Sequence, residues 1–302
     1  MKKKMILLLT VVMLFTSLMP GAFVYGCTQG MEPIASTSWL GNNLSLKNLV
    51  IVDVRTSEEY DAGHIANSVS IPFVVPFSAW ITMKEDLLLE LPEKSELFNM
   101  LGSFGITKKS KVVLVGGTSD PYAMAAAPRV ADTLIYAGVK NVSILDGGYT
   151  KWVSEGRPVT TELPIITGKV FDGKIKSKIF VSKEYVESKI GKAVIIDARD
   201  AVVYSGEVIE PYAQKPGHIA TAKSLPAPLM WNEDGTYKST SELKELVEGI
   251  ADKNDQIIVY CGVGGYASAW RFILTEVFGY KNVKFYDGSS QEWSKYYDMV
   301  LN

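Results

Sequence analysis

Of the chain's two cysteines, only Cys261 stands in a setting suited to chemistry. It follows the apolar run Ile257–Tyr260 and opens Gly262-Val263-Gly264-Gly265, after which the residues from Tyr266 onward read as helical. A strand, a glycine-rich loop and a helix N-terminus in succession converge backbone N–H groups and add the positive end of the helix dipole, which suits an anion. A cysteine held there is expected to have a depressed pKa and to exist largely as the nucleophilic thiolate. The glycines allow the backbone to wrap closely and to take positive φ. The competing assignment, an inert cysteine buried at a strand end, is common for this residue type but leaves the glycine loop without a purpose.

Other reactive side chains are few. His64 and His218 are the only histidines, and both sit in the same local sequence, Gly63-His64-Ile65 and Gly217-His218-Ile219. The first neighbourhood has no cysteine, so a structural role fits both rings better than a catalytic one. Two histidines so far apart offer no zinc site, and chemistry at a lone thiol calls for neither metal nor organic cofactor. A phosphatase or arsenate-reductase loop of the Cys-x5-Arg kind needs an arginine six positions after the cysteine, where this chain has Ala267. The net charge of −2, without a long basic run, argues against nucleic-acid binding.

The elements that must position Cys261 occur twice. Leu49–Arg55 matches Ala193–Arg199, and each is followed by Gly-His-Ile and then by Ser-x-Pro, at Ser70-Ile71-Pro72 and Ser224-Leu225-Pro226. Lys111–Val115 matches Gln256–Tyr260, and Leu145-Asp146-Gly147 through Trp152 matches Tyr286-Asp287-Gly288 through Trp293. Landmarks repeated in the same order define an internal repeat. The short β-branched runs lack period-2 alternation, as strands covered on both faces do. Helical segments such as Ser241–Ile250 and Ala267–Phe278 lie between them. Each copy is therefore expected to be an α/β domain with a mainly parallel sheet and helices on both faces. The predicted boundaries are a first domain over 34–158, a linker over 159–178 with Pro164, Gly168 and Gly173, and a second domain over 179–302. At the place of Cys261 the first repeat has Gly116, in a longer loop that holds Pro121, so only the second domain can be catalytic.

This ordered set resembles the rhodanese family, in particular tandem thiosulfate and 3-mercaptopyruvate sulfurtransferases, over nearly all of the chain beyond residue 26. The second repeat carries the match: Asp197-Ala198-Arg199, Glu210-Pro211, Lys215-Pro216-Gly217-His218-Ile219, Tyr260-Cys261-Gly262-x-Gly264 and Asp287-Gly288-Ser289-x-x-Glu292-Trp293. The resemblance implies two tandem rhodanese-like domains, the first inactive. It also implies a sulfurtransferase in which Cys261 takes a sulfane sulfur from a small-molecule donor as a persulfide and yields it to cyanide or a thiol. Gly262, Val263, Gly264, Gly265 and Tyr266 would then line the substrate site, and Arg199 matches a family arginine that contacts the anionic donor. Three positions depart from the pattern. Val263 replaces a hydroxyl residue, Tyr266 replaces a threonine, and Ser205 stands where a second arginine is expected. Two other classes stay open: a non-enzymatic module binding a sulfur compound, and a persulfide carrier serving a protein partner.

The N-terminus reads as an export signal. Lys2, Lys3 and Lys4 precede an apolar run from Met5 to Met19, too short for a stable membrane-spanning helix. Val24-Tyr25-Gly26-Cys27 resembles a lipobox, which implies cleavage after residue 26, lipidation of Cys27 and attachment to a membrane. Ordinary signal-peptidase cleavage at the same small residues is the alternative and yields a periplasmic or secreted protein.

Overall fold

The computed structural model describes residues 31–301; the segment expected to direct export and Cys27 lie outside the described residues. In the first half, β1 (Ile34–Ala35), β2 (Leu49–Asp53), β3 (Ser68–Ser70), the hairpin β4 (Thr82–Lys84) and β5 (Leu87–Glu90), β6 (Lys111–Val115) and β7 (Asn141–Leu145) follow in order. The second half adds β8 (Phe180–Val181), β9 (Val194–Asp197), β10 (Ala222–Ser224), β11 (Ile257–Tyr260) and β12 (Val283–Tyr286). Two five-stranded sheets result, in the orders β1-β7-β6-β2-β3 and β10-β9-β11-β12-β8. Every pairing within them is parallel. This is the pair of α/β domains that the repeat predicts.

The strand side chains explain why no alternating pattern shows. In β6, Val112 and Leu114 join the large inner core while Val113 and Val115 pack outward with Leu40 and Trp152. In β11, Ile257 and Val259 point inward with Cys261, whereas Ile258 and Tyr260 face Trp293. Both faces are covered, so both must be apolar.

The inner cores of the two sheets merge into one cluster. Across it the helix Pro121–Ala137 packs on the helix Gly265–Phe272 that follows the Cys261 loop. Two buried ion pairs tie the Pro121–Ala137 helix to the second domain, one through its partner helix and one through Asp287 after β12. Arg271 Nη1 meets Asp132 Oδ1 at 2.5 Å, and Arg129 Nη2 lies 3.1 Å from Asp287, beside the Cys261 loop. Each domain also sends an arm across the other. The β4–β5 hairpin reaches the second domain, where Leu88 N donates to Gln291 Oε1 and Gln291 Nε2 donates to Leu88 O, both at 2.9 Å. The Trp231–Tyr237 turn reaches the first, where Tyr237 N donates to Asp146 Oδ1 at 2.9 Å.

The stretch after the first domain is strapped down: Lys169 N donates to Gly102 O, Lys176 N to Tyr136 O, and Phe171 is buried. Among the described residues no helix is long and apolar enough to cross a membrane.

Candidate active site

Cys261 begins where β11 ends and is 2 % exposed. Its own N–H donates to Ser289 Oγ at 3.2 Å, and that hydroxyl donates to Tyr286 O at 2.9 Å. Ser290 N and Gln291 N donate to the carbonyls of Cys261 and Gly262 at 2.9 and 3.0 Å. The Asp287-Gly288-Ser289-Ser290 segment thus braces the loop from behind, and its outward-facing amides are left to the sulfur. Gly264 N reaches Sγ at 3.1 Å, and the amides of Ala267 and Val263 also point toward it. Gly264 makes this possible with φ 96°, a left-handed turn that caps the helix, while Asp287 Oδ1 fills the space a Cβ would take. At Gly262 a Cβ would collide with the Glu210 carboxylate. Both glycines are steric requirements of the loop.

The expected standing thiolate is not what this geometry produces. Burial pushes the Cys261 thiol above its ordinary value, and Glu210 adds to the rise, while the amides of Ala267, Gly264 and Val263 offset only part of it. Removing the sulfur from water outweighs the convergent amides, so the resting group is the thiol.

Arg199 lies near this site but its guanidinium is committed inward. It grips both Asp197 oxygens, donates to Gly217 O at 2.7 Å and to Glu210 Oε1 at 2.9 Å, and is 3 % exposed. Arg55 holds Asp53 and Gly63 O in the same way in the first domain. Arg199 therefore positions Glu210 and the Gly217 turn, and it has almost no donor to offer a ligand. Ser205 caps the short Ala201–Tyr204 helix, its hydroxyl donating to Val202 O. Each histidine stacks on a tyrosine at 3.8 Å, His64 on Tyr60 and His218 on Tyr204, and donates its Nδ1–H to that residue's carbonyl. Both rings hold turns together.

Sequence reasoning named Tyr266 but missed Glu210 and Tyr122, which stand beside it at the mouth. Glu210 stands over Gly262, bonded to Arg199 and to Ser290 Oγ. Tyr266, 7 % exposed, stacks at 5.1 Å on Tyr122, which comes from the first domain and is 74 % exposed. Burial and then Asp200 raise the Tyr122 phenol; burial, Tyr122 and Asp200 raise Tyr266, so both stay neutral at physiological pH. A signal existed: Tyr122 and Tyr266 are each the second residue of the helix after the loop, and the two helices are equivalent across the repeat.

The equivalent place in the first domain is closed. Asp120 caps the Pro121–Ala137 helix and takes the amides of Tyr122 and Ala123 at 2.9 and 3.0 Å. A carboxylate thus occupies the helix N-terminus that faces sulfur in the second domain. Only about 20 Å³ of cavity remains beside Gly116, walled by Trp231, Gly235 and Tyr237 of the crossing arm.

Comparison with known proteins fits this arrangement. The rhodanese-like domain matches twice, over residues 36–155 and 182–296. A protein assigned as a thiosulfate sulfurtransferase in Mycolicibacterium smegmatis is 31 % identical over 283 residues, spanning 89 % of this chain and 96 % of that one. The sulfur carrier protein TtuD of Thermus thermophilus is 32 % identical over 278 residues, with 87 % and 93 % covered. Among solved structures, YnjE superposes with a TM-score of 0.77 at 26 % identity, covering 89 % of this chain and 68 % of its own. EanB, in a cysteine-persulfide form with ergothioneine, has a TM-score of 0.74 at 21 % identity, with 89 % and 71 % covered, a likeness of fold.

Proposed function

The chain belongs to the rhodanese-like family, and from that premise we propose that Cys261 is the residue that carries the transferred sulfur. The chain is a sulfurtransferase that moves a sulfane sulfur from a donor to a thiophilic acceptor through a cysteine persulfide. The observation that supports Cys261 is the focus of backbone amides on its Sγ, with Gly264 N at 3.1 Å. The cysteine attacks the transferable sulfur of the donor, the bond that holds that sulfur breaks as the new S–S bond forms (S–S in thiosulfate, C–S in 3-mercaptopyruvate), and the thiol proton leaves with the departing sulfite or pyruvate enolate. The persulfide anion that follows extends its charge outward from Sγ. Amides that only partly offset burial for the thiol are there to hold that charge. Cyanide or a small thiol then removes the outer sulfur and restores Cys261.

Thiosulfate and 3-mercaptopyruvate are the donors to test first, the former because a relative is assigned to it. Turnover of a donor panel with cyanide should fall to background in Cys261→Ser while the thermal transition stays in place. Substantial turnover in that variant would end the proposal. The sulfur-carrier relative supports a second outcome, in which Cys261 is loaded but delivers to a protein partner and turns over poorly with small acceptors.

Export is part of the same proposal. Val24-Tyr25-Gly26-Cys27 after a short apolar run supports lipidation of Cys27 and membrane attachment. Cys27→Ala should shift the protein from the membrane to the soluble exported fraction. A wild-type protein without lipid by mass spectrometry would remove this part and leave the chemistry untouched.

A further inference from the structure

The mouth over Cys261 has an unusual charge for a site that handles sulfur anions. Glu210 is the charged side chain that acts most strongly on the Cys261 thiol. Its carboxylate stands directly over Gly262, the first residue of the loop. Arg199, the cation beside it, is shared between Asp197 and Glu210, so this buried trio carries one net negative charge. Asp200 adds a second carboxylate: it is exposed, its side chain does not cap its own helix, and it acts on both Tyr122 and Tyr266. The two tyrosines lie nearly parallel, 15° apart, and Tyr122 presents its free face to solvent. The loop itself supplies Val263 and no lysine or arginine. Carboxylates and a neutral aromatic face repel a dianion and attract a cation.

We propose that the sulfur donor of this site carries a positive charge beside its reactive sulfur, as an aminothiol persulfide does, with Asp200, Glu210 and the Tyr122 face holding that cation. The inference rests on the sulfurtransferase reading and adds the donor's class. The reaction balances without an oxidant or reductant. Cys261–SH and R–S–S⁻ become Cys261–S–S⁻ and R–SH: the outer sulfur passes across, the S–S bond of the donor breaks, and the cysteine proton ends on the leaving thiol.

The test compares three persulfides of similar size, made from cysteamine, mercaptoethanol and 3-mercaptopropionate, with thiosulfate alongside. Loading of Cys261 on the purified mature protein is followed by mass spectrometry, with each rate divided by that donor's rate toward a free thiol. At low ionic strength the cationic donor should load about tenfold faster than the anionic one, and the ratio should shrink at high salt. Asp200→Lys should reduce or reverse the preference, and Tyr122→Ala should lower loading by the cationic donor more than loading by the neutral and anionic ones. The salt series on the unaltered protein decides the matter if either variant fails to fold. Equal rates for all three persulfides, or faster loading from thiosulfate, would overturn the donor class and leave the sulfurtransferase reading standing. Failure of every donor to load Cys261 would take both down.

Discussion

At the scale of single residues, proton affinity at Cys261 is set by a contest between burial and backbone amides, with Glu210 on the side of the proton. A thiol whose pKa is raised reacts more slowly at neutral pH, and its rate climbs further into the alkaline range than that of a free cysteine. Glu210→Gln removes a negative charge and leaves Arg199 with a spare cationic edge, and both changes stabilise the thiolate. Alkylation of Cys261 by iodoacetamide at neutral pH should therefore rise in this variant, by roughly tenfold for each unit by which the pKa falls. An unchanged or slower rate would mean that Glu210 does not govern the thiol. The cysteine and its glycines were legible because a strand, a glycine loop and a helix start are local in sequence. Glu210 was visible only as a landmark, because its place over Gly262 depends on the inward grip of Arg199.

The helix N-terminus is the element that distinguishes the domain carrying Cys261 from the one carrying Gly116. In the second domain Gly264 caps the helix without a side chain, and the free amides meet sulfur. In the first, Asp120 satisfies the equivalent amides internally. Gly116→Cys in a Cys261→Ser background should thus produce a thiol with an ordinary pKa of about 8.5 and no sulfur transfer. Recovery of substantial activity would show that the cap is no obstacle. The absent nucleophile and longer loop were readable in the first repeat, as was the sheet that carries both loops. That Asp120 fills the anion site was not, since Asp120-Pro121 reads simply as a helix start.

For the whole molecule, the surroundings of Cys261 draw on both domains. The first domain sets Tyr122 against Tyr266 and, through Leu88 and Arg129, holds Gln291 and Asp287 behind the Cys261 loop, while Leu89 lies against Gly265. Within this interface Glu90 is pushed up to about 8 by burial and then by Asp287, whose own carboxyl burial raises while Arg129 opposes it. A raised carboxyl contributes stability that is complete below its unfolded value, near 4.5, and is lost as pH climbs toward 8. Glu90→Gln, which imitates the protonated form, should lose less stability over that window. Its Tm is expected to exceed that of the wild type by about 2–4 °C at pH 8, with the gap closing toward pH 5. Parallel curves would assign the pH response to other groups. No sequence pattern announces such a contact, because its partners lie far apart in the chain and meet only when the inner cores merge.

The central claim is that sulfur rides on Cys261, and the most direct test is the mass of the protein during the reaction. Incubation with a competent donor should add one sulfur atom, mapped by peptide analysis to Cys261, and cyanide should remove it and restore the starting mass. Turnover by a protein that never gains that mass, or that gains it equally as Cys261→Ser, would contradict the account.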